Sequence, residues 1–301
     1  MLDYNDPKLW AGLNKPEIET KDADVVIFGM AYDGSVSFRS GAKEAPDSLR
    51  NITYTITPTT EEFKSFEDLK LKDLGNVYGK TRDEIFKNAE ILTTNLVKEG
   101  TFFIMIGGDH SVTIPIQRGI DKGLSEPFGI VHIDAHFDLC NDIDGDVLSH
   151  GSTERRALEL KNINGIEDIF FLGIRSVEMD ELDFMKNNNV NVISSKELSN
   201  IGPTEAVNRV KKELGHLKNI YLTIDIDCLD PAYAAGTGTP QFGGLNSREL
   251  LTILEGLFDL PIIGLDIVEV APSLDPGLTS LFAARKLVTE VCGYVYEKKF
   301  L

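Results

Sequence analysis

The sequence predicts an α/β fold in which helices cover a mainly parallel β-sheet. Short β-branched runs recur along the 301 residues and alternate with longer segments of helical spacing. The runs are almost entirely apolar, as is typical of parallel strands buried on both faces. No internal repeat or flexible linker divides the chain, so we expect a single domain over residues 1–301. An eight-stranded barrel is the main rival topology, because the alternation alone does not separate the two.

The predicted elements follow in order along the chain. Strands are predicted for seven apolar runs: Val25–Phe28, Phe102–Ile106, Ile130–Ile133, Ile169–Leu172, Val190–Ile193, Ile220–Ile224 and Ile262–Val268. Helices are predicted for five amphipathic segments: Ile85–Lys98, Glu178–Lys186, Thr204–Leu214, Ser247–Phe258 and Leu278–Tyr294. Gly100 is expected to end the first helix and Ser247 to cap the fourth. The polar stretch Leu139–Ser149 is predicted to be a loop.

The composition describes an acidic globular protein. Hydrophobic residues make up 42% of the chain, which excludes disordered and low-complexity classes. Against 30 Lys and Arg stand 48 Asp and Glu, and a net charge of -18 has the wrong sign for nucleic acid or an anionic membrane. We therefore expect neither partner. A negative field attracts metal ions or a protonated amine substrate, although acidity more often serves solubility.

The cysteines and the N-terminal residues predict a cytoplasmic protein. Cys140, Cys228 and Cys292 are odd in number and far apart, which argues against a disulfide framework and against a thiolate metal site. Residues 1–6 lack the basic start and apolar stretch of a signal peptide. No uncharged apolar run approaches the roughly 18 residues of a membrane helix.

Acidic residues and histidines follow four of the predicted strands. In an open parallel sheet, ligands bind beyond the carboxyl ends of the strands. Three strands run into Gly107–Ser111, Asp134–Asp138 and Asp225–Pro231, and the last strand ends at Glu269. The fold therefore brings these side chains to one edge of the sheet.

The spacing of these residues predicts a metal centre. Residues two apart in an extended segment point the same way, so the polar side chains within each segment should converge. The candidate ligands are His110, Asp134, His136, Asp138, Asp225 and Asp227. Their four carboxylates would repel one another unless two divalent cations balanced the charge. A carboxylate-rich set without thiolate favours Mn²⁺ over a single tetrahedral zinc, so we predict two manganese ions.

Neighbouring polar residues have simpler interpretations. His132 lies deeper in an apolar strand, and we interpret it as a core histidine or one that supports a ligand, in preference to a ligand. Asp109 is expected to fix its loop, and Asp230 before Pro231 is typical of a turn. His216 is expected to face the solvent.

His150 and Glu269 are the candidate catalytic residues. The ordinary pKa of histidine, about 6.5, suits His150 for transfer of a proton to a leaving amine. Its alternative interpretation is an ordinary loop histidine. Glu269 suits a cationic group held in the site, and its alternative role is to pair with a nearby lysine or arginine.

The motifs resemble those of the ureohydrolases, the family of arginase, agmatinase, formimidoylglutamase and guanidinobutyrase. The resemblance is carried by Gly107–Ser111, Asp134–Asp138, Asp225–Pro231 and Gly236–Pro240. It extends to Tyr32–Gly34, Arg39–Ala42 and Asp73–Gly75 near the start and to Gly264–Val270 near the end. It therefore covers nearly the whole chain.

The resemblance implies a fold, a ligand set and an assembly. The implied fold is a three-layer α/β/α sandwich around an eight-stranded parallel sheet, which disfavours the barrel. One manganese would be held by His110, Asp134, Asp138 and Asp225, and the other by Asp134, His136, Asp225 and Asp227. His150 matches the family's proton-shuttling histidine, and Glu269 matches the acid that receives the guanidinium group. A homotrimer or homohexamer is implied.

The resemblance also implies hydrolysis of a small cationic guanidino substrate. Two cations that share a water lower its pKa, and the resulting hydroxide attacks the guanidinium carbon while His150 protonates the departing nitrogen. Cys140 stands where arginases carry a carboxylate-binding Asn, which favours agmatine, with putrescine and urea as products and a role in polyamine biosynthesis. Phe137, Glu154 and Gln241 replace the Thr, the aromatic residue and the Glu usual in agmatinases. These departures leave 4-guanidinobutyrate, arginine and formimidoylglutamate open.

Two other function classes make different demands on the sequence. A catalytically silent metal-binding scaffold predicts the loss of a ligand or of His150, and neither is seen. A metallophosphoesterase predicts cationic phosphate contacts near the metals, whereas this edge is acidic and no GxxxxGK[ST] loop occurs.

Overall fold

Eight parallel strands form one open sheet in the computed structural model, which describes residues 2–300. Met1 and Leu301, the two ends of the predicted domain, lie outside the described residues. The strands are β1 (Val25–Gly29), β2 (Leu71–Asn76), β3 (Phe103–Ile106), β4 (Gly129–Ile133), β5 (Ile169–Ile174), β6 (Asn191–Ser194), β7 (Ile220–Asp225) and β8 (Ile262–Val268). Their order across the sheet is β2-β1-β3-β8-β7-β4-β5-β6. Because β2 and β6 are free edges, the rival barrel topology is wrong.

Helices follow most of the strands. They are α1 (Leu9–Gly12), α2 (Ala45–Asn51), α3 (Arg82–Glu99), α4 (Thr113–Gly123), α5 (Thr153–Ala157), α6 (Met179–Asn187), α7 (Ser195–Ile201), α8 (Pro203–Leu214), α9 (Ser247–Leu257) and α10 (Thr279–Phe300). The segment α1 is a single irregular turn, in which Trp10 and Ala11 have positive φ. None of the helices described between residues 2 and 300 has the length and apolar character needed to cross a bilayer.

The helices pack on both faces of the sheet and give three layers. Successive residues of a strand point to opposite faces, and Val25 and Ile27 of β1 lie in one hydrophobic core while Val26 and Phe28 lie in the other. The first core contains residues of α2, α7, α8, α9 and α10. The second contains residues of α3, α4 and α5, with α6 packed against it. The predicted α/β/α sandwich is therefore confirmed.

The predicted elements are present, with two corrections. All seven predicted strands and five predicted helices occur, and Gly100 ends α3 with φ 71°. Ser247 is not the cap of α9, because Asn246 accepts a hydrogen bond of 2.9 Å from Glu249 N and Glu249 Oε2 accepts one of 2.9 Å from Asn246 N. Strand β2 is absent from the prediction. The stretch 139–149 contains no helix or strand, as predicted.

Candidate metal centre and active site

Four adjacent strands at the centre of the sheet position the candidate site. They are β3, β8, β7 and β4, and their carboxyl ends lie at the same edge. His110 opens a short 3₁₀ turn after β3, Asp134 follows β4, Asp225 ends β7 and Glu269 follows β8. The backbone before His110 is tightly packed, since a Cβ atom on Gly108 would lie 1.6 Å from the carbonyl oxygen of Tyr32.

Three carboxylates surround one ring nitrogen of His110. Its Nδ1 atom lies 3.0 Å from Asp134 Oδ2, 3.0 Å from Asp138 Oδ2 and 3.4 Å from Asp225 Oδ2. All four residues are buried. His110 Nδ1, Asp134 Oδ2 and Asp138 Oδ2 have no hydrogen-bond partner among residues 2–300. Buried polar atoms are rarely left without a partner, so this group is arranged for a ligand.

A second group adjoins the first through Asp134. His136 Nδ1 lies 3.4 Å from Asp134 Oδ1 and 3.3 Å from Asp227 Oδ2. Asp225 Oδ1 accepts a hydrogen bond of 2.7 Å from Asp227 N, which ties the two acids together. The structure therefore brings all six predicted side chains to one place, with Asp134 between the two histidines.

The four carboxylates among the six clustered side chains need cations to balance their charge. Burial and the carboxylates of Asp227 and Asp134 raise the pKa of Asp225. Burial lowers the pKa of His136, but Asp227 and Asp134 more than offset this and raise it to about 12. Carboxylates so close together cannot all ionise without a counter-charge. Oxygen and imidazole donors, several of them unpartnered, fit divalent cations of intermediate hardness.

Residues 134–138 form a turn and not the extended segment in which residues two apart point the same way. His136 N donates a hydrogen bond of 2.7 Å to Asp134 Oδ1, and Asp138 has φ 55°, in the left-handed region. The side chains of this turn converge because the chain turns back on itself. The extended conformation predicted for residues 134–138 is therefore wrong.

Thr223 and Asp266 fix the tautomer of His110. Thr223 Oγ1 donates to Asp266 Oδ1 at 2.6 Å, so its oxygen accepts the hydrogen bond of 2.8 Å with His110 Nε2. His110 Nδ1 then carries the lone pair that faces the acids. Asp266 also accepts from Thr113 Oγ1 at 2.6 Å. The sequence interpretation overlooked this support, although a carboxylate within the apolar strand β8 is a signal for it.

His132 lies beside the set but has both ring nitrogens engaged. Its Nε2 atom lies 3.1 Å from Asp134 Oδ2 and 3.1 Å from the carbonyl oxygen of His136. Its Nδ1 atom lies 3.1 Å from Glu154 Oε1. Burial lowers the pKa of His132, but the carboxylates of Asp134 and Glu154 raise it to about 10. This arrangement suits a supporting residue. From the sequence, Glu154 stands out only as a departure from the agmatinase pattern, and its contact with His132 is not predicted.

Glu269 and His150 lie together beside the six clustered side chains. Glu269 is buried, has φ 60° and accepts a hydrogen bond of 2.9 Å from His110 N. His150 Nδ1 lies 3.4 Å from Glu269 Oε1, and His150 Nε2 accepts a hydrogen bond of 3.2 Å from Ser37 N. Burial lowers the pKa of His150, but Glu269 and more distant acids raise it to about 9. Within residues 2–300, Glu269 forms no ion pair with a lysine or arginine.

A pocket opens from the set towards the solvent. It is lined by Ser37, His110, His136, Asp138, Cys140, Ile143, His150, Gly151, Ser176, Val177, Glu178, Glu181, Asp225, Thr239 and Gln241. Two of these, Glu178 and Glu181, are carboxylates away from the six that the sequence interpretation missed. Glu181 is buried and accepts hydrogen bonds of 2.9 Å from Leu139 N and from Glu178 N, so Glu178 is the one that adds charge to the pocket. The described lining contains no lysine or arginine. The pocket is thus suited to a cation.

The remaining predicted residues lie where the simpler interpretations placed them. Asp109 accepts hydrogen bonds from Ser35 N at 2.8 Å and Ser111 N at 3.1 Å, which fixes its loop. Asp230 accepts hydrogen bonds from backbone N–H groups of its own turn and of the neighbouring loop, and His216 is exposed. Cys140 is buried, and burial together with nearby acids raises the pKa of its thiol, which stays neutral.

Comparison with known proteins relates this arrangement to one family. The family model described as the arginase family matches residues 23–293 of this chain. The agmatinase of Chromobacterium violaceum is 32% identical over 286 residues, which cover 93% of this chain and 86% of that protein. The structure of proclavaminate amidinohydrolase from Streptomyces clavuligerus is 31% identical, with a TM-score of 0.84 over 94% of each chain. Formiminoglutamase from Trypanosoma cruzi, at 20% identity, TM-score 0.88 and coverage of 96% and 98%, shares the fold.

Proposed function

Because the chain belongs to the arginase family, we propose that it hydrolyses agmatine to putrescine and urea with two Mn²⁺ ions. The family membership and the similarity to agmatinase make it an agmatinase-like ureohydrolase. The observation that carries the choice of substrate is the pocket. It leads from the candidate metal ligands past a further carboxylate, Glu178, and no lysine or arginine of the described chain lines it.

The six clustered side chains fit two divalent cations. His110, Asp134, Asp138 and Asp225 would hold one ion, and Asp134, His136, Asp225 and Asp227 the other. The unpartnered atoms of His110, Asp134 and Asp138 support this assignment. Donors limited to carboxylate and imidazole favour Mn²⁺ among the available metals. When bound, two such ions supply a water activated for attack at neutral pH.

Glu269 and His150 supply the remaining chemistry from the chain itself. The Glu269 carboxylate would pair with the guanidinium group and orient its carbon towards the set, since carboxylates and guanidinium groups match in shape and charge. The departing alkyl nitrogen is too basic to leave as an anion, so it must gain a proton. His150 Nδ1 lies 3.4 Å from Glu269 Oε1, so His150 would be placed to donate it.

The tail of the substrate decides between agmatine and its rivals. Agmatine ends in a protonated amine, whereas 4-guanidinobutyrate, arginine and formimidoylglutamate each carry a carboxylate. A carboxylate tail is held best by a cationic partner, and the described lining contains no lysine or arginine. Its one amide, Gln241, is accompanied by the carboxylate of Glu178, which repels such a tail and attracts an amine. Charge complementarity therefore favours the amine.

The test is urea release by Mn²⁺-loaded protein from agmatine, arginine, 4-guanidinobutyrate and formimidoylglutamate, with formamide assayed for the last. Selective formation of putrescine from agmatine is expected. Turnover of another member of the panel would support the proposed reaction type but show that agmatine is not the substrate. No turnover of any of them, with two metals confirmed bound, would contradict the proposed function.

Glu178→Gln is expected to weaken agmatine binding selectively. Removing a carboxylate from the pocket lining costs attraction for the amine but leaves the reacting groups in place. We expect KM for agmatine to rise by about 5- to 10-fold, equivalent to roughly 1 kcal/mol, with kcat nearly unchanged. Steady-state kinetics measure both constants.

Asp183→Asn is the matched control for this variant. Asp183 lies on the same helix, α6, has a side chain that is 69% exposed and does not line the pocket. Its substitution should change neither constant. Equal KM values for Glu178→Gln and the parent would contradict the assignment of Glu178 to the substrate tail.

We also propose that the chain forms one domain, acts in the cytoplasm and assembles as a homotrimer or homohexamer. The single sheet and the matched residues 23–293 support one domain. The three cysteines are free and buried, which suits a reducing compartment. The assembly rests on the family resemblance.

A further inference from the structure

A buried histidine and a buried glutamate lie behind the metal-binding set and take no part in the proposed chemistry. His132 on β4 and Glu154 on α5 are both 0% exposed. His132 Nδ1 lies 3.1 Å from Glu154 Oε1, which also accepts a hydrogen bond of 3.0 Å from Gln117 Nε2. A carboxylate only accepts hydrogen bonds, so Nδ1 donates to Glu154, and this bond fixes the orientation of the ring.

The other ring nitrogen of His132 contacts the turn that carries three of the six side chains. Nε2 lies 3.1 Å from the carbonyl oxygen of His136. A carbonyl oxygen only accepts hydrogen bonds, so Nε2 must carry a proton and donate it. Nε2 also lies 3.1 Å from Asp134 Oδ2. One imidazole therefore contacts both the first and the third residue of the turn 134–138.

Glu154 holds the same turn a second time through its backbone. Its N–H donates a hydrogen bond of 3.0 Å to the carbonyl oxygen of Asp138, and Arg155 N donates one of 3.1 Å to the same oxygen. Asp138 has φ 55°, a conformation that costs energy and persists only where the surroundings enforce it. Glu154 thus fixes the end of the turn through its main chain and the middle of the turn through His132.

Two aromatic neighbours fix the plane of the His132 ring. It stacks on the ring of His110 with 5.1 Å between centroids and 2° between planes, and Phe171 contacts it edge-on at 5.2 Å. Within this stack, the hydrogen bond between Nδ1 and Glu154 holds Nε2 against the carbonyl oxygen of His136.

We propose that Glu154, acting through His132, is a positioning residue of the metal centre. The pair holds the turn 134–138 in the shape that directs Asp134, His136 and Asp138 towards the ions. This inference rests on the proposed function, because it takes the set to bind Mn²⁺. It is independent of which guanidino compound is the substrate.

The test compares three variants with a matched control. The variants are Glu154→Gln, Glu154→Leu and the double variant His132→Phe/Glu154→Leu. The control is Glu159→Gln, since Glu159 follows the same helix, has a side chain that is 57% exposed and pairs with Arg156 at the surface. Titration calorimetry of the full chain measures Mn²⁺ affinity, and the EPR spectrum of the bound Mn²⁺ reports the shape of the site.

We expect Glu154→Leu to weaken Mn²⁺ affinity by about 10- to 100-fold, the usual cost of losing a group that orients metal ligands. Its EPR spectrum should change. Glu154→Gln should bind Mn²⁺ with nearly the parent affinity, because its amide can donate to Nδ1 of a neutral ring and leave the Nε2 proton facing His136. Glu159→Gln should change neither readout.

The double variant separates positioning from stability. Glu154→Leu alone leaves His132 without its buried partner and so lowers stability, whereas the double variant removes both polar groups. We expect the double variant to regain thermal stability but to keep the weakened affinity and the altered spectrum. If affinity returns with stability, the pair only packs, and the proposal is overturned. A glutamine variant as weak as the leucine variant would also overturn it, whereas a parent chain that binds no Mn²⁺ would contradict the proposed function instead.

Discussion

Asp134→Ala is expected to abolish metal binding and hydrolysis together. The Asp134 carboxylate faces both histidines of the set, with Oδ2 3.0 Å from His110 Nδ1 and Oδ1 3.4 Å from His136 Nδ1. Its removal therefore weakens both ion positions at once. Without the activated water, several kcal/mol of transition-state stabilisation are lost, so turnover of agmatine should fall by at least about 10³-fold.

The measurement pairs Mn²⁺ content after gel filtration with the rate of urea release. Asp142→Ala is the control, because Asp142 is an exposed carboxylate on the neighbouring loop and should affect neither quantity. Thermal unfolding checks that Asp134→Ala is folded, as expected when one of several mutually repelling buried carboxylates is removed. Two Mn²⁺ ions retained per chain would show that Asp134 is not a shared ligand.

Most of the sheet could be predicted from the sequence because its strands are apolar on both faces. Strand β2 could not, since it is an edge strand whose residues alternate between buried and partly buried. Its buried positions include Asp73, whose charge is paired with Arg50 at 2.7 Å and which also accepts a hydrogen bond of 2.7 Å from Trp10 Nε1. Those partners are distant in sequence, so local periodicity gives no sign that a carboxylate there is buried.

The six clustered side chains could be predicted, but the shape of their site could not. Strand ends in a parallel sheet share one edge, and this rule is enough to bring His110, Asp134 and Asp225 together. The left-handed φ of Asp138 depends on hydrogen bonds from α5, which no spacing rule contains. Glu154 likewise gains its role only where α5 brings it against His132 of β4, and no helix is predicted there from the sequence.

His150→Ala is expected to leave both ions bound and to slow the reaction. His150 contacts Glu269 and Ser37 rather than the six clustered side chains. Loss of a general acid typically costs about 10²- to 10⁴-fold in rate, so kcat for agmatine should fall by that factor at unchanged Mn²⁺ content. His216→Ala is the control, since His216 is exposed and should be dispensable. Full turnover by His150→Ala would show that the proton comes from another group.

An agmatine analogue difluorinated on the second carbon from the departing nitrogen distinguishes proton transfer from a structural role of His150. Fluorine lowers the basicity of that nitrogen, so the nitrogen leaves with less help from an acid. If His150 donates the proton, the loss in rate on His150→Ala must be smaller for the fluorinated substrate than for agmatine. If His150 only holds Glu269 and the Ser37 loop in place, the loss must be the same for both. His150→Ala removes the contacts of His150 with Glu269 at 3.4 Å and with Ser37 at 3.2 Å for both substrates. The effect of losing these contacts is therefore the same for both, and a difference between the two losses in rate reports proton transfer.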